Sequence, residues 1–236
     1  RDTESYVTPI VRSPDSSMPT VTIAGSRAMT RACFAAVALD AAVQLAPCAG
    51  LAPAVTFRWT TLSHPGLLDD LSTDRSSLWI PPRMLSPGES YEFAVSVNAS
   101  DTHSASARAT VRVPFRPLVA SISGGHRQVT RPNTIFLDGR GSYDPNGGCS
   151  GISGVVLHRW FCRTGVGETC WRQSEFGPGD IFGQGSIATL RSTDLKAGTL
   201  VFTHQVLAAD STGRTAETSV AVDVVLEPAT QVSIAS

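Results

Sequence analysis

The sequence predicts an all-β fold made of two β-sandwiches in tandem, and three observations lead to this. The chain has 236 residues, of which 42% are hydrophobic, and this is enough for two domains of ordinary size. Apolar and polar residues alternate in short runs that Gly, Pro, Asn, Asp and Ser separate, as in antiparallel strands. The chain also repeats itself, because residues 48–59 match residues 149–160 without a gap.

The alternating runs predict strands along most of the chain. They lie at residues 21–23, 55–59, 91–97, 110–113, 119–122, 156–160 and 219–224. The segment from Ala32 to Ala46 is rich in alanine, which favours helices, but its odd positions from 33 to 45 are all apolar. We therefore predict a strand there.

The repeat predicts where the domains begin and end. The first β-sandwich is expected at residues 19–115 and the second at residues 116–228. Residues 1–18 are expected to be a linker from a preceding region, and residues 229–236 the start of a linker to a following module. The connection between the sandwiches is short and rich in proline, which should restrict their arrangement.

Each repeat contains an aligned tryptophan, Trp59 or Trp160. In a sandwich of the immunoglobulin type, a tryptophan at this place is buried between the two sheets. Residues 87–90 lead into Tyr91 as in a tyrosine corner, in which the tyrosine hydroxyl bonds to nearby backbone. The second repeat has Leu200 at that place, so we expect its corner to be held by packing alone.

The composition excludes several functions. Nineteen Lys and Arg residues against 20 Asp and Glu give a net charge of −1, so we expect no nucleic-acid partner. No run approaches the ~18 apolar residues of a membrane span, so we expect no membrane contact by this chain itself. Five cysteines favour an oxidising compartment. We interpret the chain as a piece of a larger extracellular protein.

Residues 137–146 read Leu-Asp-Gly-Arg-Gly-Ser-Tyr-Asp-Pro-Asn. They resemble the Leu-Asp-Gly-x-x-Ser-Tyr-Asp-Pro-Asn signature of the receptor-for-egg-jelly (REJ) module of polycystins and sperm egg-jelly receptors. Residues 78–85 are similar to a proline- and arginine-containing segment of that module, and the resemblance spans about residues 20–226. It implies fibronectin-type-III/immunoglobulin-like sandwiches in an extracellular region at the cell surface, often of a ciliary or gamete membrane protein. It implies no catalysis.

The cysteines divide into one clear pair and three that leave alternatives. Cys162 and Cys170 flank a glycine-rich hairpin, and both this geometry and the REJ pattern favour a disulfide. Cys33 either forms a local bridge to Cys48 or bonds to Cys149 in the other sandwich, in which case Cys48 pairs with a cysteine upstream of this chain. In the first alternative Cys149 is a free thiol.

Two sets of residues are candidate metal ligands. His158 and His204 are expected on adjacent strands, but no third ligand stands at zinc-like spacing, so ordinary histidines are favoured. Asp138, Asp144 and Asn146 offer oxygens to calcium but lack the acidic density of an EF-hand loop, so a role in shaping turns is favoured. We expect no cofactor, with calcium as the lesser alternative.

Asn98 is the acceptor of an Asn-Ala-Ser sequon. It is one step out of phase with the inward residues of its strand, so it should face solvent, and we predict that it is glycosylated.

The sequence predicts a non-enzymatic extracellular REJ-like module that acts as a spacer and as an adhesion or ligand-interaction surface of a polycystin-like membrane protein of a cilium or gamete. Its partners would be a protein or glycan ligand and the rest of the parent chain. The alternative is a carbohydrate-binding accessory module of a secreted enzyme or matrix protein, for which Trp79 and Trp171 are the candidate stacking platforms. A hydrolase is not expected, because no Gly-x-Ser-x-Gly elbow is present.

Overall fold

The chain is almost entirely β-structure. A computed structural model describes residues 19–24, 28–45, 54–100, 103–173, 176–177 and 179–226. These residues contain thirteen strands and one short 3-10 turn at residues 192–194, which confirms the all-β prediction. The chain divides into two compact units between Pro114 and Phe115, one residue from the predicted boundary. The predicted linkers at residues 1–18 and 229–236 lie outside the described residues.

The first unit consists of two sheets. Its strands are β1 (Thr20–Ile23), β2 (Ala28–Thr30), β3 (Val37–Gln44), β4 (Thr56–Thr61), β5 (Ser77–Ile80), β6 (Ser90–Ser100) and β7 (His103–Arg112). One sheet has the order β2-β7-β6-β4, with β2 parallel to β7 and the other pairs antiparallel. The other is antiparallel, with the order β1-β3-β5. Alternate residues of these strands are apolar and buried, as a sandwich requires. They include Val37, Leu39, Leu78, Ile80, Phe93, Val95 and Val111.

The second unit repeats this plan with six strands. They are β8 (Arg127–Thr130), β9 (Thr134–Asp138), β10 (Val156–Thr164), β11 (Ile187–Arg191), β12 (Gly198–Ala208) and β13 (Thr215–Val225). The order β8-β13-β12-β10, with β8 parallel to β13, matches the four-stranded sheet of the first unit. Strands β9 and β11 form the second sheet. The core contains Ile135, Leu137, Trp160, Leu190, Phe202 and Val222.

The aligned tryptophans occupy equivalent places. Trp59 pairs with Val95 on the neighbouring strand, and Trp160 pairs with His204. Both tryptophans are buried, as predicted. Each indole N–H donates to a backbone carbonyl, at 2.9 Å for Trp59 and 2.7 Å for Trp160, so the polar atom of each ring is satisfied inside the core.

The strand predicted from Ala32 onwards was placed too early. It begins at Val37, because the preceding residues form a turn in which the Ala35 N–H donates to the Ala32 carbonyl at 2.9 Å. The Cys33 carbonyl accepts from the Arg83 N–H at 2.6 Å. Cys33 is nevertheless buried, so the alternation of apolar residues extends through a turn and the strand after it.

The strand predicted at residues 119–122 was also wrong. This segment forms an isolated bridge between Val119 and Tyr143 and no continuous ladder. The reason lies in its partner, since β9 ends at Asp138 and a glycine-containing loop follows. In the first unit the corresponding strand β1 pairs with β3 over its full length.

Candidate functional site

The REJ-like signature lies beside the segment that leads the chain into the second unit. We call residues 116–123 the leading segment and residues 138–146 the signature loop. At one end, the Arg116 N–H donates to Asn146 Oδ1 at 3.0 Å, and Asn146 Nδ2 donates to the Arg116 carbonyl at 2.8 Å. The buried Asn146 amide thus bonds to the backbone of Arg116 as a neighbouring strand would.

The middle of the leading segment is held in two further ways. Val119 and Tyr143 exchange two backbone hydrogen bonds of 3.0 Å each. The Ser121 N–H donates to the hydroxyl of Ser142 at 2.9 Å. The Ser142 hydroxyl therefore accepts the Ser121 N–H in place of the backbone carbonyl that a neighbouring strand would supply.

The far end of the leading segment follows a pattern common to both units. The Ser123 N–H donates to the Asp138 carbonyl at 2.8 Å, and in the first unit the Ala24 N–H donates to the Asp40 carbonyl at 2.7 Å. The leading segment is thus the counterpart of β1, with its middle bonded to a loop.

Asp144 is the buried centre of the signature loop. Its carboxylate accepts two hydrogen bonds from the Arg214 guanidinium, at 3.0 and 2.7 Å, and two from Asn146, at 2.9 Å from the backbone N–H and 2.8 Å from Nδ2. Arg214 also donates to Asp210 at 2.9 Å and lies over the Phe115 ring, 4.7 Å from its centroid. The loop is therefore tied to the hairpin between β12 and β13 by a bidentate, charge-assisted contact.

The ion pair sets the charge of both partners. Burial alone would raise the pKa of Asp144, but the hydrogen bonds from Arg214 and Asn146 outweigh it and lower the pKa. The hydrogen bond with Asp144 raises the pKa of Arg214. Both groups are charged at neutral pH, and the attraction between them offsets the free-energy cost of removing each charge from water.

The three calcium candidates all have protein partners. Asp138 accepts from the backbone N–H, Nε and Nη2 of Arg140 at 3.0, 3.0 and 2.7 Å, and these bonds lower the pKa of Asp138 to about 2. Asp144 binds Arg214, and Asn146 binds backbone of the leading segment. Within the described ranges, no group of three or more His, Cys, Asp or Glu side chains could hold a metal ion.

His158 and His204 do lie on adjacent strands, as predicted. Nδ1 of His158 and Nε2 of His204 are hydrogen-bonded at 2.9 Å. The fully buried His204 ring stacks on Trp160 with 4.1 Å between centroids, and its Nδ1 bonds to the Ser121 carbonyl at 3.1 Å. Burial lowers the pKa of both histidines, so the pair is neutral near pH 7 and links the sheet to the leading segment.

The corner of the first sandwich has the predicted tyrosine hydrogen bond. The Tyr91 hydroxyl accepts a hydrogen bond from the Ser86 N–H at 2.7 Å, and the ring is buried, which makes a tyrosine corner. Leu200 is fully buried, and its apolar side chain contributes to the second corner by packing.

The predicted disulfide between Cys162 and Cys170 is present, with 5.9 Å between the Cα atoms. Cys33 and Cys149 are both buried and disulfide-bonded, which excludes a free thiol at Cys149. Cys48 lies outside the described residues, and the cysteine to which Cys33 is bonded stays a prediction.

Three predicted surface residues differ in exposure. The side chain of Asn98 is exposed, and its glycosylation stays a prediction. Trp79 is 56% exposed. Trp171 is half-buried and packs against Phe176 and Phe182, with 5.5 and 5.6 Å between ring centroids. Of the two candidate stacking platforms, Trp79 therefore offers the more accessible ring.

Sequence reasoning missed the partners of the buried polar groups. Arg214 lies 70 residues from Asp144, so nothing local links them. No sequence signal distinguished Arg214, because an arginine in a hairpin turn is ordinarily exposed to solvent.

Together these features define a pair of immunoglobulin-like or fibronectin-type-III-like sandwiches, the second of which is organised around a signature loop. The sequence model of the REJ domain matches residues 41–236, and the chain belongs to the REJ domain family. No curated protein is significantly similar to the chain in sequence. None of its described helical segments is long and apolar enough to cross a bilayer.

Several solved structures of multi-domain proteins are similar to the chain at low sequence identity. Three N-terminal domains of the bacteriophage RB49 highly immunogenic outer capsid protein are 10% identical, with 90% of this chain and 71% of that chain covered and a TM-score of 0.34. Mouse cadherin-23 EC22–24 is 13% identical, with 89% and 67% covered and a TM-score of 0.35. Sidekick-1 immunoglobulin domains 1–5 are 14% identical, with 88% and 40% covered and a TM-score of 0.34.

Proposed function

We propose that the chain is a non-enzymatic, extracellular spacer that bears mechanical load and presents an interaction surface in a polycystin-like membrane protein of a cilium or gamete. Membership of the REJ family and the disulfides support an extracellular setting. The observation that carries the proposal is the continuous set of bonds between the leading segment and the signature loop.

Tension on the chain at the start of the second unit acts first on the leading segment. Before this segment can leave the unit, its bonds to Asn146, Tyr143 and Ser142 must break. The ion pair between Asp144 and Arg214 passes the load from the signature loop to the hairpin that precedes the last strand. Because this pair is buried, water competes for it poorly.

The residues that resemble catalytic groups support a non-enzymatic role. The Ser142 hydroxyl lies 3.5 Å from His204 Nδ1, the pairing of a nucleophile with a base. Both side chains are buried, however, and the same nitrogen already bonds to the Ser121 carbonyl. This serine and histidine act as core groups that satisfy the leading segment.

Single-molecule force spectroscopy tests the spacer role. The full chain, with its disulfides intact, is placed between marker domains of known unfolding force and is stretched. Asn146→Ala should lower the force of one of the two unfolding events, because the backbone of Arg116 loses both of its hydrogen bonds to the Asn146 side chain. Asn98→Ala, which removes an exposed asparagine, is the matched control. Equal unfolding forces for the wild type and Asn146→Ala would contradict the proposal.

We also propose that Asn98 carries a glycan. Its cross-strand neighbours Thr56 and Ser104 and its strand neighbour Ser96 are exposed and small, so this sheet surface has room for a sugar. Material secreted from eukaryotic cells should contain a peptide with a glycan at Asn98, which glycosidase removes and Asn98→Gln abolishes. A fully unmodified peptide in that material would refute this part of the proposal.

A further inference from the structure

Trp79 is a large aromatic residue that points away from the core. Along β5, Leu78 and Ile80 are buried, whereas Ser77 and Trp79 are exposed. β5 is an edge strand of the β1-β3-β5 sheet, and 56% of the Trp79 surface is accessible to solvent. An indole ring offers a broad apolar face, so exposure on this scale suits a binding contact.

The side chains that neighbour Trp79 on this face of the sheet are short. The residue directly opposite Trp79 on β3 is Ala38. Further along the same face lie Ala42 and its partner Thr22 on β1, and these residues are all exposed. Because these side chains are short, the indole of Trp79 is the largest side chain of this set, and the exposed residue between Ala38 and Ala42 on β3 is Asp40.

Asp40 lies on the same face, between Ala38 and Ala42 on β3, and its carboxylate has a fixed orientation. Asp40 is directly opposite Ser77, and its Oδ1 accepts from the Ser77 hydroxyl at 2.5 Å. Since Ser77 and Trp79 are two apart on β5, the Asp40 and Trp79 positions are diagonal neighbours on one face, ~7–8 Å apart. Among the described residues, Ser77 is the hydrogen-bond partner of the Asp40 side chain, so its second oxygen remains available as an acceptor.

We propose that Trp79 and Asp40 form a binding site for a neutral, β-linked oligosaccharide. A pyranose ring has an apolar C–H face that can lie on the indole, and hydroxyl groups at its rim that can donate to Asp40. The sheet face over Ala38 and Ala42 gives room for the next sugar ring. The Asp40 charge disfavours phosphate, sulfate and carboxylate ligands.

A basic peptide is the less favoured ligand. A cation over an indole gains little free energy at an exposed site, and more only where it is desolvated. The surface around Trp79 is open, since 56% of that residue is accessible to solvent. An open sheet face suits an extended, uncharged polymer better than a single cation.

The test is calorimetric titration of the full, disulfide-intact chain with cellotetraose, chitotetraose and β-1,4-galactotetraose, and with a lysine-rich peptide. At least one sugar should bind and should protect one tryptophan from acrylamide quenching. Trp79→Ala should weaken binding by about tenfold or more, as expected for a lost aromatic contact. Trp79→Tyr, which keeps an aromatic face, should retain part of the affinity, and Asp40→Asn should weaken binding several-fold.

Leu62→Ala is the matched control, because Leu62 is another exposed apolar residue of the first unit, and it should leave binding unchanged. Trp79 lies at an outward position of β5 and is 56% exposed, so its variants should keep the circular dichroism spectrum of the wild type. The proposal is overturned if none of the three sugars binds, if Trp79→Ala binds them as the wild type does, or if only the peptide binds. None of these results bears on the spacer role, which depends on the second unit.

Discussion

The two units place different residues opposite their tryptophans. Val95 pairs with Trp59 in the first unit, and His204 pairs with Trp160 in the second. Four residues earlier on the same strands stand Tyr91, which makes the tyrosine corner, and Leu200, which cannot. One sheet plan is thus held together in two ways, by a tyrosine hydroxyl in the first unit and by a histidine and a polar loop in the second.

The two units also differ on the sheet that faces these tryptophans, at a position that compensates for the size of the His204 ring. Ala41 follows Leu39 and Asp40 in the first unit as Gly139 follows Leu137 and Asp138 in the second. A Cβ atom at Gly139 would lie 2.8 Å from both ring nitrogens of His204 and closer still to Cε1, which is inside contact distance. The glycine of the signature therefore makes room for the histidine ring.

The largest expected effect comes from the buried ion pair, a feature of the second unit. Arg214→Ala should reduce the free energy of unfolding of that unit by about 3–5 kcal/mol, because Asp144 is left buried without its counter-charge. Hydrogen exchange resolved by peptide should show faster exchange in the second unit alone. Arg140→Ala, which removes an exposed arginine, should change little; a similar loss for both variants would show that burial is not the reason.

The Gly139 and His204 pair gives the next largest effect. Gly139→Ala should destabilise the second unit by about 1–3 kcal/mol through overpacking, as measured by chemical denaturation. The double variant Gly139→Ala/His204→Val reproduces the combination of Ala41 and Val95 and should regain much of that loss. If the double variant is less stable than Gly139→Ala alone, the two positions do not compensate.

The tyrosine corner predicts a smaller effect, confined to the first unit. Tyr91→Phe should lower its free energy of unfolding by about 1 kcal/mol, because the Ser86 N–H loses its acceptor. Tyr143→Phe is the control, since the Tyr143 side chain is exposed. Equal denaturation midpoints for Tyr91→Phe and the wild type would show that the Tyr91 hydroxyl does not stabilise this corner.

Mild acid should destabilise the second unit, with the smallest expected effect. Burial lowers the pKa of His158 and His204 in the folded state, whereas the unfolded chain titrates near ~6.5. The unfolded state therefore binds more protons below that pH, and stability falls as pH drops from ~6.5 through the lowered folded pKa. The denaturation midpoint of the second unit should change between pH 7.5 and pH 5.5. This change should be smaller in a His158→Gln/His204→Val variant than in the wild type. An equal change in both proteins would contradict the assignment of the pH dependence to these two histidines.

Features that depend on a local or repeated pattern could be predicted from the sequence. The duplication, the buried tryptophans, the tyrosine corner at Tyr91 and the bond between Cys162 and Cys170 are of this kind. His204 was expected on a strand, but the extent of β12 was not predicted, because its inward positions include the polar His204 and its outward positions include Leu207, which obscures the alternation.

The contacts of the signature loop could not be predicted either. The pattern of residues 137–146 pointed to a family, but Asp144 and Asn146 were interpreted as turn formers or calcium ligands. Their partners, Arg214 and the backbone of Arg116, are 70 and 30 residues away, and only the folded sheets bring them together.

The most direct test of the role of the signature loop is amide hydrogen exchange of the leading segment by NMR. The Arg116 and Ser121 amides should be protected in the wild type, since each donates to a side chain of the loop. In Asn146→Ala the Arg116 amide should exchange much faster, while that of Tyr143, bonded to Val119 through backbone alone, stays protected. An Arg116 amide that exchanges at the unprotected rate in the wild type, or one unaffected by Asn146→Ala, would contradict the claim that this loop holds the leading segment in the fold.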